Sequence, residues 1–113
     1  MMTKLQTNIC QKIAEHYGYN KQEIQTIQEL SELTCLLARR PDQRMNMDFR
    51  SEVMQEMADV SIMMEQLRIM LEINEDELDD AICKKLDRQM HRIAENENLV
   101  IVPAATHVKQ HDC

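Results

Sequence analysis

The chain has 113 residues, a formal net charge of −7, and only one glycine, two prolines and 3% aromatic residues. Its length fits one domain, and its acidity excludes binding of nucleic acid polymers through a general basic field. No apolar run approaches the roughly 20 residues of a membrane span, and Lys4, Lys12 and Glu15 interrupt the first segment, unlike a signal peptide. We therefore expect a soluble, cytoplasmic protein with neither a nucleic acid polymer nor a membrane as partner.

Composition also predicts the fold class. The chain is rich in Met, Leu, Glu, Gln and Lys, which form helices, and poor in the β-branched and aromatic residues that sheets need. The prediction is an all-α bundle of about four helices. The four cysteines show no C-x-x-C spacing, so we expect no zinc site.

Two helices are predicted in the first third of the chain. The first runs from Thr3 to Tyr17, with Gly18 at its C-terminal end. Asn20 and Glu23 have capping-box spacing, so the second helix is expected over residues 21 to about 39, before Pro41. The predicted core stripes are Leu5, Ile9, Ile13 and Tyr17 in the first helix, and Ile24, Ile27, Leu30, Leu33 and Leu37 in the second.

Two longer helices follow the Pro41 break. Asp48 is a plausible N-cap for a third helix over residues 49 to about 72. Asn74 and Glu77 repeat the capping-box spacing before a fourth helix over residues 75 to about 95. Residues 1–98 are expected to form one helical domain, and residues 99–113 an extended tail.

Two pairs of carboxylates stand out: Glu29 with Glu32, and Glu56 with Asp59. Residues three apart on a helix lie on one face, one turn apart, so two facing pairs could hold a hard divalent cation. Glu56 and Asp59 share a column with Met63 on a helix that is apolar nearly all round, which predicts that they point into protein. The alternative is a solvated flank paired with Lys or Arg.

The first pair is harder to place. Glu29 and Glu32 point away from the apolar stripe of their own helix. Their pocket therefore needs a second helical layer, and the unused apolar faces of the third helix also need one. A homodimer or homotetramer would supply it.

The predicted core stripe of the fourth helix is Leu78, Ile82, Leu86 and Ile93. Three aligned cations, Lys85, Arg88 and Arg92, follow one edge of this stripe. Such side chains are often ordinary solvated cations. In an acidic protein, beside a carboxylate-bearing helix, they also suit a metal-bound polyphosphate, because phosphate oxygens accept Arg and Lys donors well.

The order of these motifs resembles a known family. E-x-x-E, a gap of 23 residues, E-x-x-D on a long helix and then K-x-x-R on the next helix are similar to the MazG-like all-α nucleoside triphosphate pyrophosphohydrolases. The resemblance covers residues 24–93. It implies oligomeric helical enzymes that use Mg²⁺, or Mn²⁺ in its place, to cleave an NTP or dNTP into a nucleoside monophosphate and pyrophosphate.

Carried over by position, the resemblance assigns a role to each motif residue. Glu29, Glu32, Glu56 and Asp59 would bind Mg²⁺ and form the catalytic site, and Lys85, Arg88 and, less directly, Arg92 would bind the phosphates. The mechanistic hypothesis is that Glu29 or Glu32, with the metal, activates a water for attack on the α-phosphorus.

Two other functions remain open. Gln28, Gln55 and Cys83 stand where the family often has two acids and an Asn, which favours a non-catalytic helical assembly or a nucleotide-binding regulatory module. A carboxylate-bridged di-iron bundle needs two Glu-x-x-His pairs, and no Glu in this chain precedes a His by three residues.

Overall fold

The computed structural model describes residues 2–39 and 47–97, and the described chain is entirely helical, with no β-strand. This confirms the all-α class and the four helices. The helices are α1 (Lys4–Tyr17), α2 (Tyr19–Leu37), α3 (Met47–Met70) and α4 (Glu75–Glu97).

The junction between α1 and α2 is a single residue. Gly18 has φ of 86° and lies between the last residue of α1 and the first of α2. Its N–H donates to the Ala14 carbonyl and its own carbonyl accepts from Gln22 N–H, so it serves both helix ends. The positive φ favours glycine. The predicted capping box at Asn20 is therefore wrong, because α2 has already begun at Tyr19.

Side chains cap the starts of α1 and α4, whereas the predicted N-cap of α3 is wrong. Thr3 and Gln6 form a reciprocal capping box at α1. At α4, Asn74 Oδ1 accepts from the Asp76 N–H and Glu77 accepts from the Asn74 N–H, as the spacing predicts. Asp48 lies in the first turn of α3 rather than before it, since that helix begins at Met47.

The chain divides into two compact units, one ending at Glu72 and the other beginning at Ile73. The first contains α1, α2 and α3, and the second contains α4. The expected tail, residues 99–113, and Pro41 lie outside the described residues, and the expected single domain over residues 1–98 stays a prediction. Within residues 2–39 and 47–97, no helix is long and apolar enough to cross a membrane.

In the first unit, α2 packs along α3, and α1 contacts both helices. The buried residues of this unit include three polar ones, Gln22, Thr26 and Gln66, which are as buried as the apolar side chains. Glu65 of α3 accepts a 2.6 Å hydrogen bond from Thr7 Oγ1 of α1 and is paired with Arg68. The buried apolar residues of the unit are Cys10, Ala14, Leu36, Phe49 and Met63.

The predicted core stripe of α2 is not in the core of this unit. Ile24 and Ile27 are 65% and 59% exposed, and Leu30 and Leu37 are also exposed. The helix instead turns its opposite, mostly polar face toward α3. The predicted stripes of α1 and α4 are also largely exposed; the exposed residues are Leu5, Ile9, Tyr17, Leu78, Ile82, Leu86 and Ile93.

Candidate metal centre

The packing of α2 on α3 brings three of the four predicted acids together. Glu29 and Glu32 project from α2, and Glu56 projects from α3. One carboxylate oxygen from each lies within 4.8 Å of the other two. We call this group the acidic triad. The second helical layer that Glu29 and Glu32 need is thus α3 of the same chain.

Two oxygens of the acidic triad are buried. Glu29 Oε2 and Glu56 Oε2 are almost inaccessible to solvent, and neither accepts a hydrogen bond from the residues that the structure describes. A buried carboxylate oxygen without a donor is costly unless it is neutralised or binds a cation. No basic side chain among the described residues forms an ion pair with the triad.

The electrostatics of the acidic triad agree with its geometry. Desolvation raises the pKa of the Glu29 carboxyl above its ordinary value, and the negative charges of Glu32 and Asp59 raise it further. The pKa of the Glu56 carboxyl is raised for the same reasons, with desolvation the main cause. The protein around the acidic triad therefore disfavours the ionised form of these two carboxyls.

Asp59, the fourth predicted acid, lies at the margin of this group. Its charge is close enough to raise the pKa of both Glu29 and Glu56. However, it is exposed, so the prediction that it points into protein is wrong, and its oxygens are not part of the triad. The geometry thus brings together Glu29, Glu32 and Glu56, and leaves Asp59 beside them.

Amide side chains one turn earlier on α2 orient two of the acids. Gln25 Nε2 donates a 2.9 Å hydrogen bond to Glu29 Oε1, and Gln28 Nε2 donates a 3.3 Å bond to Glu32 Oε1. Each bond fixes one oxygen of its carboxylate. For Glu29, the bonded oxygen is Oε1, and the buried oxygen is Oε2.

The acidic triad borders an open cleft of about 610 Å³ between α2 and α3. Glu32 and Glu56 line it, and so does Arg39 near the end of α2. Arg39 Nη2 lies 2.7 Å from Glu52 Oε2, and both side chains are about two-fifths exposed. The cleft therefore has carboxylates and a guanidinium in its walls.

The predicted phosphate-binding residues lie on α4, in the second unit. Lys85, Arg88 and Arg92 are all exposed. Among the described residues, none of the three is in an ion pair; the lysine paired on this helix is Lys84, with Asp80. Their assignment to phosphates stays a prediction.

Sequence reasoning missed several residues of this region, including Arg39, Gln25 and Gln22. Gln25 precedes Glu29 by one helical turn, and this spacing places it on the same side of α2 as that acid. Arg39 lies past the C-terminal end of α2, so helical spacing carries no signal for its position.

The donor set fits a hard divalent cation. Carboxylate oxygens are the protein ligands that Mg²⁺ and Mn²⁺ prefer, and the two buried oxygens of Glu29 and Glu56 need such a partner. Without histidine or cysteine in the triad, the set does not favour zinc.

Comparison with known proteins adds no assignment: no protein-family model, curated protein or solved structure matches the chain.

Proposed function

We propose that this protein is a Mg²⁺-dependent hydrolase that cleaves a nucleoside triphosphate, NTP or dNTP, into a nucleoside monophosphate and pyrophosphate. One observation carries the proposal: oxygens of Glu29, Glu32 and Glu56 lie within 4.8 Å of one another, and two carboxylate oxygens of this group are buried with no donor among residues 2–39 and 47–97. The likeness of the motif order to MazG-like enzymes supplies the reaction. Such substrates and Mg²⁺ are abundant in the cytoplasm, where we place its action.

The acidic triad would hold the cation, with Asp59 adding negative charge beside it. Bound Mg²⁺ supplies neutralisation of phosphate charge and a lower pKa for water. Glu29 or Glu32 accepts the proton of the water that attacks the α-phosphorus. The Gln25 and Gln28 amides keep these two carboxylates oriented, which matters because phosphoryl transfer depends mainly on positioning and electrostatics.

Cations are needed for the departing pyrophosphate. Lys85, Arg88 and Arg92 lie along α4 without ion-pair partners among the described residues, so they are available to phosphate oxygens. Their neutralisation of the growing charge would favour departure of pyrophosphate.

The proposed active form is a homodimer or homotetramer. The exposed stripe of α2 is unusual for a monomer, because soluble monomers rarely expose a contiguous row of large apolar side chains. A second copy presents the same stripe, and a two-fold interface is self-complementary. The stripe lies on the face of α2 opposite the acidic triad, so a partner would cover it and leave the cleft open.

The test is pyrophosphate release from a panel of canonical and modified nucleoside triphosphates with Mg²⁺ or Mn²⁺. We expect at least one substrate, loss of activity with EDTA, and a loss of about 100-fold or more in Glu56→Gln. Glu15→Gln, which removes an exposed carboxylate of α1 outside the triad, is the matched control. Nucleotide binding by calorimetry without any turnover would indicate the regulatory-module alternative. Absence of both would refute the proposal.

A further inference from the structure

Arg39 is the only basic side chain among the described residues that line the cleft beside the acidic triad. It lies just past the C-terminal end of α2, seven residues after Glu32. Its partner Glu52 lies one turn before Glu56 on α3. The ion pair therefore joins the segment that follows α2 to α3, and both of its residues line the cleft.

A cleft with this distribution of charge suits an anion that brings its own cation. An unaccompanied polyphosphate would be repelled by three carboxylates, whereas a divalent metal would be attracted to them. A metal-bound polyphosphate also has oxygens away from the metal, and these need a cationic donor. Arg39 offers a planar guanidinium, which matches phosphate oxygens in a bidentate arrangement.

We propose that Arg39 is a phosphate-binding residue that exchanges the Glu52 carboxylate for a phosphate oxygen when a metal-polyphosphate enters the cleft. The inference rests on the proposed function, and it adds a substrate-binding residue of the first unit to those expected on α4. Glu52 holds the guanidinium at the cleft while no anion is bound. Release is easy because an ion pair with both side chains about two-fifths exposed is weak and screened by solvent.

The exchange also predicts what Glu52 does to affinity. Before binding phosphate, Arg39 must leave its carboxylate, so Glu52 competes with the incoming anion. Removing the Glu52 charge should therefore tighten polyphosphate binding, whereas removing Arg39 should weaken it. A pair that only fastens α2 to α3 would not give opposite effects on ligand affinity.

Two probes separate the metal site from the phosphate site. Mn²⁺ alone, followed by electron paramagnetic resonance, reports the acidic triad. Inorganic tripolyphosphate with saturating Mn²⁺, followed by calorimetry, reports the phosphate contacts. For Arg39→Ala we expect tripolyphosphate affinity to fall about 10- to 100-fold and Mn²⁺ affinity to stay within about twofold. Arg39→Lys should fall between, because Lys keeps the charge without the bidentate geometry.

Glu52→Gln should bind tripolyphosphate up to about fivefold more tightly. Arg50→Ala is the matched control, since Arg50 is an exposed cation of α3 that does not line the cleft. It should bind both probes like the unaltered protein. Circular dichroism verifies folding, and if Arg39→Ala unfolds, Arg39→Lys and Glu52→Gln decide the matter.

Failure of this inference is distinguishable from failure of the proposed function. The role of Arg39 is overturned if Arg39→Ala and the unaltered protein bind tripolyphosphate equally well, or if neither binds it. In both cases, Mn²⁺ binding by the unaltered protein would still support the metal site. If the unaltered protein does not bind Mn²⁺, both the role of Arg39 and the proposed function are overturned.

Discussion

Gln22 and Gln66 are joined by a hydrogen bond in the interior between α2 and α3. Gln22 Nε2 donates to Gln66 Oε1 at 2.8 Å, and the two residues are 4% and 1% exposed. Thr26 Oγ1, one turn along α2, donates to the Gln22 carbonyl. The face of α2 that meets α3 is therefore polar from Gln22 to the acidic triad. A buried amide pair accepts few alternative alignments, so it fixes the position of α2 along α3 and with it the position of the acids.

Gln22→Leu should destabilise the protein by about 1–3 kcal/mol, because it leaves the buried Gln66 amide without its partner. In a domain of this size, that corresponds to a melting temperature lower by about 4–8 °C per kcal/mol. Thermal and urea unfolding followed by circular dichroism measure the change.

The control is the double variant Gln22→Leu with Gln66→Leu. With both amides replaced by apolar side chains, much of the loss should be recovered. Additive losses in the double variant would show that the two amides do not act as a pair.

Glu56→Gln should stabilise the metal-free protein while removing metal binding. The pKa of the Glu56 carboxyl is raised, so its ionised form is less favourable in the folded chain than in the unfolded one. The neutral amide keeps the shape without the charge. We expect a higher melting temperature than the unaltered protein in EDTA, near neutral pH, and little or no further rise on adding Mg²⁺. Glu15→Gln should leave both measurements unchanged, and a lower melting temperature for Glu56→Gln in EDTA would contradict the account.

The stabilising effect of Mg²⁺ should grow as pH rises. The folded-state pKa values of Glu29 and Glu56 are raised above the ordinary 4.5. Their contribution to stability is therefore fully present below about pH 4.5 and is lost as pH rises through the raised values. A cation needs the ionised carboxylates, so it restores stability only at the higher pH. At 100 times its Kd, Mg²⁺ should add about 2.7 kcal/mol near pH 8 and much less near pH 5.

Differential scanning fluorimetry across this pH range, with Mg²⁺ and with EDTA, measures the effect. The Glu29→Gln variant supplies the comparison, because it removes one of the two carboxyls with raised pKa. A Mg²⁺ effect equal at both ends of the range, or larger in acid, would count against a carboxylate site.

The contribution of Glu65 to folding stability should have the opposite pH dependence to that of Glu29 and Glu56. Its hydrogen bonds with Arg68 are the main cause that lowers the pKa of its carboxyl, and the Thr7 hydroxyl adds to it. Its contribution is present above the ordinary value of 4.5 and is lost as pH falls through the lowered pKa. Thr7→Val should cost about 0.5–1.5 kcal/mol near neutral pH and less in acid. Thr34→Val is the control, because Thr34 is an exposed residue of α2 that bonds only its own helix. Equal cost at both pH values would refute the link between α1 and Glu65.

The orientation of Glu56 on α3 could be predicted from sequence, whereas that of Asp59 and of the acids on α2 could not. Glu56 shares a column with Met63, which is buried, and Glu56 is itself partly buried. Asp59 was assigned to the same column but is exposed, because the apolar residues of α3 do not cover the whole helix. On α2 the apolar stripe that includes Ile27 dominates the periodicity. Hydrophobic periodicity says which face avoids water, but not whether the same chain or a second copy covers it.

Hydrophobic periodicity also could not predict the polar interior between α2 and α3. Gln22, Thr26 and Gln66 carry polar side chains that a periodic pattern assigns to the surface. Their burial becomes favourable only once each finds its hydrogen-bond partner across or along the helices. Such pairing depends on the alignment of two helices that are 44 positions apart at this contact, and local sequence carries little signal for it.

Ile27→Glu should weaken self-association of the chain. Ile27 lies at the middle of the exposed α2 stripe with Ile24 and Leu30 and is 59% exposed, so a charge there costs little in a monomer and much in an interface between two copies. We expect the unaltered protein to be a dimer or tetramer by light scattering after size exclusion, and Ile27→Glu to dissociate at least about 100-fold more readily. Leu5→Glu, at a 69% exposed position of α1, is the control and should not change the oligomer. Helicity should be unchanged in both variants, because neither position is buried in the chain. A monomeric unaltered protein, or equal dissociation by the two variants, would show that the α2 stripe is not the surface on which copies meet.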